Sequence, residues 1–164
     1  MHPAALPVDK LLAAVEESHT RRSGPGGQHR NKTQTAVVLR HRPTGVTAEA
    51  SERRSQAENR RVAVWRLRLV LALEHRTPAR PAPSALWRSR TRAARLLIAA
   101  DHADYPALVA EALDQLEAHG WRMTAAAAAL EVTASQLAAL FRKQAGAWTT
   151  LNRQRLAAGL APLR

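Results

Sequence analysis

The residues with the most unusual spacing form the glycine-rich stretch Ser23–Lys32, which reads SGPGGQHRNK. Three glycines and a proline surround one glutamine, Gln28, and a histidine and two cations follow it. Gly26 and Gly27 have no Cβ, so they tolerate positive φ and let the backbone approach another molecule closely. By composition alone such a loop is more often a connector than a site. The alternative is a loop that brings Gln28 against a reactive group.

Other familiar catalytic arrangements are absent from the sequence. The chain has no cysteine, which excludes disulfides, thiolate metal sites and cysteine nucleophiles. There is no G-x-S-x-G elbow and no G-x-x-x-x-G-K-[ST] phosphate loop. The seven histidines do not form an H-E-x-x-H pattern. We therefore expect no metal ion and no cofactor.

Charge is the most informative property of the composition. The 164 residues carry a net charge of +12, from 25 basic and 13 acidic side chains. Residues 1–73 have 13 basic and 6 acidic side chains, residues 74–95 have 6 and 1, and residues 96–164 have 6 of each. A positive chain attracts a polyanion, and arginine adds bidentate phosphate contacts. This asymmetry predicts that the first part of the chain contacts nucleic acid and that the last third need not.

The elements that would position the glycine loop are a hairpin and a helix. Residues Thr35–His41 are β-rich, Arg42–Gly45 form a turn and Val46–Ala50 alternate, which predicts a β-hairpin. Residues 8–20 are consistent with a short helix or an extended lead-in. From Ser55 the pattern becomes helical, and one apolar stripe should face the core: Val62, Trp65, Leu69 and Leu73.

The second half of the chain is predicted to be a linker followed by helices. The stretch Arg76–Ala85 is basic and rich in proline, which is typical of a stiff linker. A helix should begin at Asp104 and stop at Gly120, and a last helix should run from Trp148 to Ala158. Between them lies a possible helix-turn-helix, whose second helix begins at a Thr133–Gln136 capping box.

Together these patterns predict an α+β fold. A small catalytic domain with a β-hairpin or sheet and a long helix occupies residues 1–75. A basic, proline-rich linker follows at 76–95, and a small all-α bundle at 96–164. No apolar run approaches a membrane span and no secretory signal is recognisable, so we expect a cytoplasmic monomer with no membrane contact.

The stretch Arg21–Leu69 resembles the catalytic domain of class I bacterial peptide chain release factors. The resemblance rests on Gly26-Gly27-Gln28, His29, Asn31-Lys32, the Pro-Thr-Gly turn of the hairpin and the Arg54-Ser55-Gln56…Asn59-Arg60 helix start. Gly-Gly-Gln alone is a weak signal. Its register with the hairpin and the helix makes the resemblance specific over roughly residues 10–73.

The resemblance implies a role for each part of this region. The catalytic residues would be Gly26, Gly27 and Gln28, whose tip enters the peptidyl transferase centre, and the family's glutamine is commonly N5-methylated. RNA-binding residues would be Arg22, Arg30, Lys32, Arg54 and Arg60. Loop-supporting residues would be Ser23, Gly24, Pro25, His29, Asn31, Ser55 and Gln56.

These implications lead to one functional hypothesis and one rival. Within these 164 residues we find no stop-codon-reading domain, so we expect codon-independent hydrolysis of peptidyl-tRNA on the ribosome, as in the short release-factor-like proteins that rescue stalled ribosomes. The partners would be the large ribosomal subunit, peptidyl-tRNA and a glutamine methyltransferase. The rival is a non-catalytic ribosome- or RNA-binding protein that retains the domain. A DNA-binding role for residues 122–144 is a further alternative, disfavoured by the neutral last third.

Overall fold

The structure is a computed structural model that describes residues 1–20 and 35–164. The chain divides into two compact units. The N-terminal unit is Leu6–Leu71, and the C-terminal unit is Ala72–Arg164 together with Met1–Ala5.

The N-terminal unit combines a three-stranded antiparallel sheet with two helices. Its elements in chain order are α1 (Val8–Leu12), β1 (Val15–Thr20), β2 (Ala36–His41), β3 (Thr47–Ala50) and α2 (Gln56–Glu74), whose residues as far as Leu71 belong to this unit. The strands are ordered β1-β2-β3. In the register of β1 on β2, Val15 lies opposite His41 and Thr20 lies opposite Ala36.

The predicted hairpin is confirmed as β2 and β3. Gly45 has φ +73°, the left-handed conformation that glycine adopts without the steric cost a Cβ imposes. The His41 amide donates to the Val46 carbonyl over 2.8 Å, and the His41 ring lies 2.8 Å from the Thr44 hydroxyl through Nδ1. These bonds close the turn and fix the register of the two strands.

Strand β1 was not distinguished from a helix by the sequence. Its residues read VEESHT, with only one apolar side chain, so no alternation of apolar and polar residues marks a strand. The strand lies at the edge of the sheet, and Glu17, Ser18 and His19 are exposed. An edge strand of this kind is held by its backbone ladder to β2 and by polar side-chain contacts.

The buried face of α2 differs from the predicted stripe. Ala63, Leu67 and Leu71 are fully buried. The predicted stripe, which included Trp65 as a core residue, is only half-buried. The prediction was wrong because it followed the largest apolar side chains. Small Ala63 and polar Asn59 are fully buried instead.

The C-terminal unit is mainly helical. A short 3-10 turn (Pro3–Ala5) is followed, after Ala72, by α3 (Ala85–Ser89), β4 (Thr91–Arg92), β5 (Arg95–Leu96), α4 (Tyr105–Ala118), α5 (Met123–Ala129), α6 (Ala134–Arg142) and α7 (Ala145–Ala157). Helix α4 is the centre of the unit, since most of its side chains are buried. The Tyr105 hydroxyl donates to the Leu140 carbonyl over 2.9 Å, and burial raises the pKa of this phenol.

The stretch predicted as a linker, residues 76–95, is an ordered part of this unit. Thr77 donates through its amide and hydroxyl to the two carboxylate oxygens of Asp114, over 3.0 and 2.5 Å. Ser84 donates in the same way to Glu111, over 2.7 and 2.5 Å. Trp87 is 1% exposed and donates from Nε1 to the Leu130 carbonyl. The linker prediction was therefore wrong here, because polar side chains of α4 bind the proline-rich backbone.

The helix ends in the C-terminal unit mostly follow the predicted signals. Helix α4 begins after Asp104, and Gly120 beyond its end has φ +60°. Thr133 caps α6 by accepting a hydrogen bond from the Gln136 amide over 3.2 Å. The Gln136 side chain accepts from the Leu96 amide, so only half of the predicted capping box forms. Helix α7 begins three residues earlier than predicted, at Ala145.

The α+β class is confirmed, with the three-stranded sheet in the N-terminal unit and a C-terminal unit that is mainly helical beside the two-stranded β4–β5 sheet. Over the described residues, no single helix is both long and apolar enough to cross a membrane. Helices α5 and α6 pass that test only jointly, by length and composition, and they are bent by 99° at the break between them.

Candidate functional site: the stem of the glycine loop

The glycine loop itself lies outside the described residues. This applies to the predicted catalytic residues Gly26, Gly27 and Gln28, and to most of the predicted RNA-binding and supporting residues: Arg22, Ser23, Gly24, Pro25, His29, Arg30, Asn31 and Lys32. Their roles stay predictions. The structure does describe the stem of the loop, which we define as β1, the start of β2 and the first turns of α2.

The two sides of the stem are neighbours in the sheet. Thr20, the last residue before residues 21–34, lies opposite Ala36 in the antiparallel ladder. His19 lies opposite Val37, which is fully buried. The chain therefore leaves and re-enters the sheet at adjacent positions, and the loop is anchored on both sides by the same ladder.

Asn59 on α2 is the central polar residue of the stem. It is fully buried, and its Nδ2 donates to the carbonyl of Thr35 over 2.7 Å and to that of Arg53 over 2.9 Å. Its Oδ1 accepts from the Arg53 amide over 2.9 Å. Buried polar groups are stable only when bonded in this way. One side chain thus ties the first described residue after the loop to the segment that leads into α2.

Gln56 and Ser55 act on the same turn of the helix. The Gln56 amide nitrogen lies 2.9 Å from Nδ1 of His19 on β1, so the helix start is joined to the strand that leads into the loop. The Ser55 hydroxyl accepts from the Glu58 amide over 3.4 Å, as an N-terminal helix cap does. The role of these two residues in supporting the loop stays a prediction.

Arg60 is held by an ion pair to β1. Its Nε donates to both carboxylate oxygens of Glu17, over 3.1 and 2.9 Å. The pair is partly exposed, with side chains 44% and 26% accessible, so its direct contribution to stability is small. Its position matters more, since it is a second connection from α2 to the strand before the loop. The predicted RNA-binding role of Arg60 has to coexist with this pair.

A second ion pair links the middle of α2 to the segment that follows β3. Arg66 donates to Glu52 over 2.6 Å and to the Glu49 carbonyl on β3 over 2.8 Å. The amide of Ser51 donates to the Glu52 carboxylate, and this bond, with a further contribution from Arg66, lowers the pKa of Glu52. These bonds join the end of β3 to the middle of α2.

Exposed cations surround the start of α2. Arg53, Arg54 and Arg61 are all exposed there. Arg54 was predicted to bind RNA, and its position beside the stem is compatible with phosphate contacts. Among the described residues, no group of His, Asp and Glu side chains could hold a metal ion. The exposed arginines give this part of the unit a positive charge.

The sequence did not identify Glu17, His19 and Thr35 as parts of the stem. Glu17 and His19 lie on the polar edge strand, which carried no strand signal, and Thr35 contributes only its backbone carbonyl. Asn59 was one of several polar residues at the helix start. Nothing in its spacing marked it as the buried one.

Comparison with known proteins identifies a family for the region that contains the stem. The RF-1 domain model matches residues 11–96, just over half of the chain. This match extends beyond the region in which the resemblance was recognised, and it includes β4 and β5.

Several curated proteins align with the same region. Mitochondrial translation release factor in rescue from Mus musculus is 40% identical over 62 residues, which are 38% of this chain and 33% of that protein. Peptide chain release factor 1 from Ureaplasma parvum is 53% identical over 51 residues, 31% of this chain and 14% of that protein. A mitochondrial peptide chain release factor-like protein from Saccharomyces cerevisiae is 43% identical over 65 residues, 39% of this chain and 42% of that protein.

The aligned region thus spans less than half of each of these relatives. Since the RF-1 domain match covers the loop, its stem and the residues that follow as far as the β4–β5 hairpin, the chain belongs to the RF-1 domain family of peptide chain release factors.

Proposed function

We propose that this chain hydrolyses the ester bond of peptidyl-tRNA on the ribosome without reading a stop codon, and so releases peptides from stalled ribosomes. The observation that carries the proposal is the stem, in which Asn59, Gln56 and Arg60 secure both strands that border the Gly-Gly-Gln sequence. Family membership and a relative named as a release factor in rescue support it.

In this proposal the protein supplies a positioned backbone rather than a catalytic side-chain acid or base. Water attacks the ester carbonyl carbon, the bond to the tRNA ribose oxygen breaks, and that oxygen takes up a proton. The backbone amide of Gln28 donates a hydrogen bond to the oxyanion of the transition state. The Gln28 side chain orients the water and excludes larger nucleophiles. Gly26 and Gly27 let the tip approach the ester, which lies in the RNA of the peptidyl transferase centre.

The stem matters for this reaction because positioning errors are costly. A displacement of about 1 Å at a reacting group can reduce a rate about a hundredfold. The loop extends from β1 and β2, so any slack at its base moves the tip. The bonds from α2 to both strands oppose such movement, and this is the contribution we assign to Asn59, Gln56 and Glu17–Arg60.

Peptide release from ribosomes stalled on an mRNA without a stop codon tests the proposal. Gln28→Ala and Gly27→Ala should lose most of the release rate and retain ribosome binding. Gln154→Ala on α7 removes a glutamine side chain elsewhere and should behave as wild type. Unchanged release by the Gln28 and Gly27 variants would contradict the catalytic role, and release only with a stop codon would contradict codon independence.

The rival function, ribosome or RNA binding without catalysis, makes a different prediction in the same assay. The wild type would bind ribosomes with an affinity that falls as salt rises, and would hydrolyse no ester in any stalled complex. Two relatives carry mitochondrial names, so the cytoplasmic location expected from the sequence stays a prediction.

We also propose that Gln28 is the substrate of a glutamine methyltransferase. Mass spectrometry of the peptide that contains Gln28, from protein purified from its native host, should show the mass of one added methyl group. An entirely unmodified peptide would contradict this proposal and leave the release activity untouched.

A further inference from the structure

The C-terminal unit contains a helix-turn-helix whose second helix lies beside a basic hairpin. Helices α5 and α6 are joined by four residues, 130–133, and bent by 99°, within the range of this motif. Glu131 in the turn has φ +58°, the left-handed conformation for which such turns often use glycine. The Gln136 side chain in the first turn of α6 accepts from the Leu96 amide on β5 over 3.4 Å, which fixes the hairpin against α6.

The hairpin places two arginines together at an energetic cost. Arg92 and Arg95 lie directly opposite each other, so their side chains point to the same face, where like charges repel. The turn between them consists of Ala93 and Ala94, with φ +48° and +58°, a conformation that is strained for residues with a Cβ. Both arginines are exposed, and neither forms an ion pair within the part of the chain that the structure describes.

The neutral sum over residues 96–164 leaves out Arg92 and Arg95, which belong to the C-terminal unit but lie in the basic stretch 74–95. The acidic side chains Asp104, Glu111 and Asp114 are engaged by Arg90, Ser84 and Thr77. From residue 122 onward there are six basic side chains and a single acidic one, Glu131. The charge argument against a nucleic-acid contact therefore fails for this unit.

The exposed face of α6 suits phosphates better than base edges. Ser135 and Arg142 are exposed and Ala139 is half-buried, and the three are spaced along one face. Arg142 stacks on Trp148 at 4.7 Å and donates a hydrogen bond to the Arg164 carbonyl, so its guanidinium is held in place on this face. A DNA-reading helix of this motif uses side chains near its N-terminus to contact base edges. Gln136, the residue best suited for that here, is engaged with β5. The other groups on this face are a hydroxyl, a methyl and a guanidinium, which contact the phosphate backbone and follow the shape of a nucleic acid.

We propose that this hairpin–α6 surface, comprising Arg92, Arg95, Ser135, Ala139 and Arg142, binds the phosphate backbone of double-stranded RNA without reading its sequence. Double-stranded RNA is recognised mainly by shape, phosphates and 2′-hydroxyls, which matches the groups on offer. The proposal deepens the proposed function, since a ribosomal RNA helix would be such a ligand. The surface would then deliver the chain to the ribosome independently of the glycine loop.

Binding of the full chain to a fluorescent RNA duplex, measured by anisotropy over a salt series, tests the proposal. Arg92→Gln with Arg95→Gln should weaken binding about tenfold and reduce the slope of log K against log salt by about 2, one unit for each lost phosphate contact. Arg122→Gln with Arg153→Gln removes the same charge from exposed positions outside the surface. This control pair should change affinity less than threefold and leave the slope within about half a unit.

Three outcomes would overturn the proposal. The first is equal weakening by both pairs, which would reduce the effect to net charge. The second is tighter binding of a particular DNA duplex than of RNA. The third is an unchanged slope for the hairpin pair.

A peptide-release assay distinguishes the failure of this proposal from the failure of the proposed function. The hairpin pair should raise the protein concentration needed for half-maximal release and preserve the maximal rate. Gln28→Ala should lose most of the release rate and leave duplex binding intact. Loss of duplex binding by Gln28→Ala would contradict a separate surface, and an unchanged half-maximal concentration for the hairpin pair would contradict its role on the ribosome.

Discussion

Replacing Asn59 is the most direct test of how the loop stem is held. Asn59→Ala removes two hydrogen bonds to the carbonyls of Thr35 and Arg53 and one from the Arg53 amide. A protein hydrogen bond contributes about 0.5–1.5 kcal/mol net, and buried groups left without partners cost more. With three bonds lost at a fully buried position, we expect the free energy of unfolding to fall by about 2–4 kcal/mol.

Urea denaturation followed by circular dichroism measures this loss, and hydrogen exchange locates it. Amides at the start of β2, from Ala36 to Val38, should lose protection in Asn59→Ala. Arg61→Ala, an exposed change on the same helix, is the matched control and should stay within about 0.5 kcal/mol of wild type. A loss below about 1 kcal/mol, with β2 protection intact, would refute the assignment of Asn59 as the anchor of the stem.

A second substitution at the same position tests the direction of the bonds. Asn59→Asp keeps the acceptor for the Arg53 amide but places a carboxylate oxygen against two carbonyls. At neutral pH it should destabilise at least as much as alanine. The folded state would raise the pKa of this carboxyl, so stability should recover as pH falls and a proton restores the donor. An aspartate variant as stable as wild type at neutral pH would contradict the hydrogen-bond pattern.

Three further predictions concern single contacts. Thr133→Ala should cost about 1 kcal/mol by removing the cap of α6, with Thr133→Ser close to wild type in thermal unfolding; equal loss in both would rule out the cap. Burial lowers the pKa of His2 below 6.5, so at acidic pH the unfolded chain binds a proton more readily than the folded chain, and stability should fall as pH drops below about 6.5. Thermal unfolding of His2→Gln should therefore depend less on pH than that of the wild type. Identical pH profiles for the two proteins would contradict this prediction. Glu17→Ala and Arg60→Ala should each cost less than about 1 kcal/mol, and a larger loss of ribosome affinity for Arg60→Ala would show that Arg60 also contacts phosphate.

The sequence correctly predicted the elements whose ends are determined by turn and capping residues close to them in the chain. The Pro-Thr-Gly turn placed the hairpin because Gly45 supplies positive φ. Asp104 and Gly120 placed α4, and Thr133 placed the start of α6. In each of these cases the residues that determine the boundary are within a few positions of it.

The contacts that hold the site could not be predicted in this way because they join distant residues. Asn59 bonds a residue 24 positions away, and Thr77 bonds one 37 positions away. The proline-rich stretch appeared to be a linker for the same reason, since its partners Glu111 and Asp114 lie on α4. Strand β1 has too few apolar residues to show a period, and α2 buries an alanine and an asparagine in preference to its tryptophan.

The assignment of Met1–Ala5 to the C-terminal unit has a consequence for the order of folding. His2 is buried there, with its ring Nε2 3.0 Å from the His75 carbonyl oxygen, and Ala4 is fully buried. These residues precede the N-terminal unit in the sequence, whereas their partners in the C-terminal unit follow its 66 residues.

Until that unit folds, capturing the N-terminus means closing a long flexible loop, which costs entropy. The N-terminal unit is in effect inserted into the C-terminal one, so a mutation that unfolds the loop stem should also loosen a histidine more than fifty residues away in sequence.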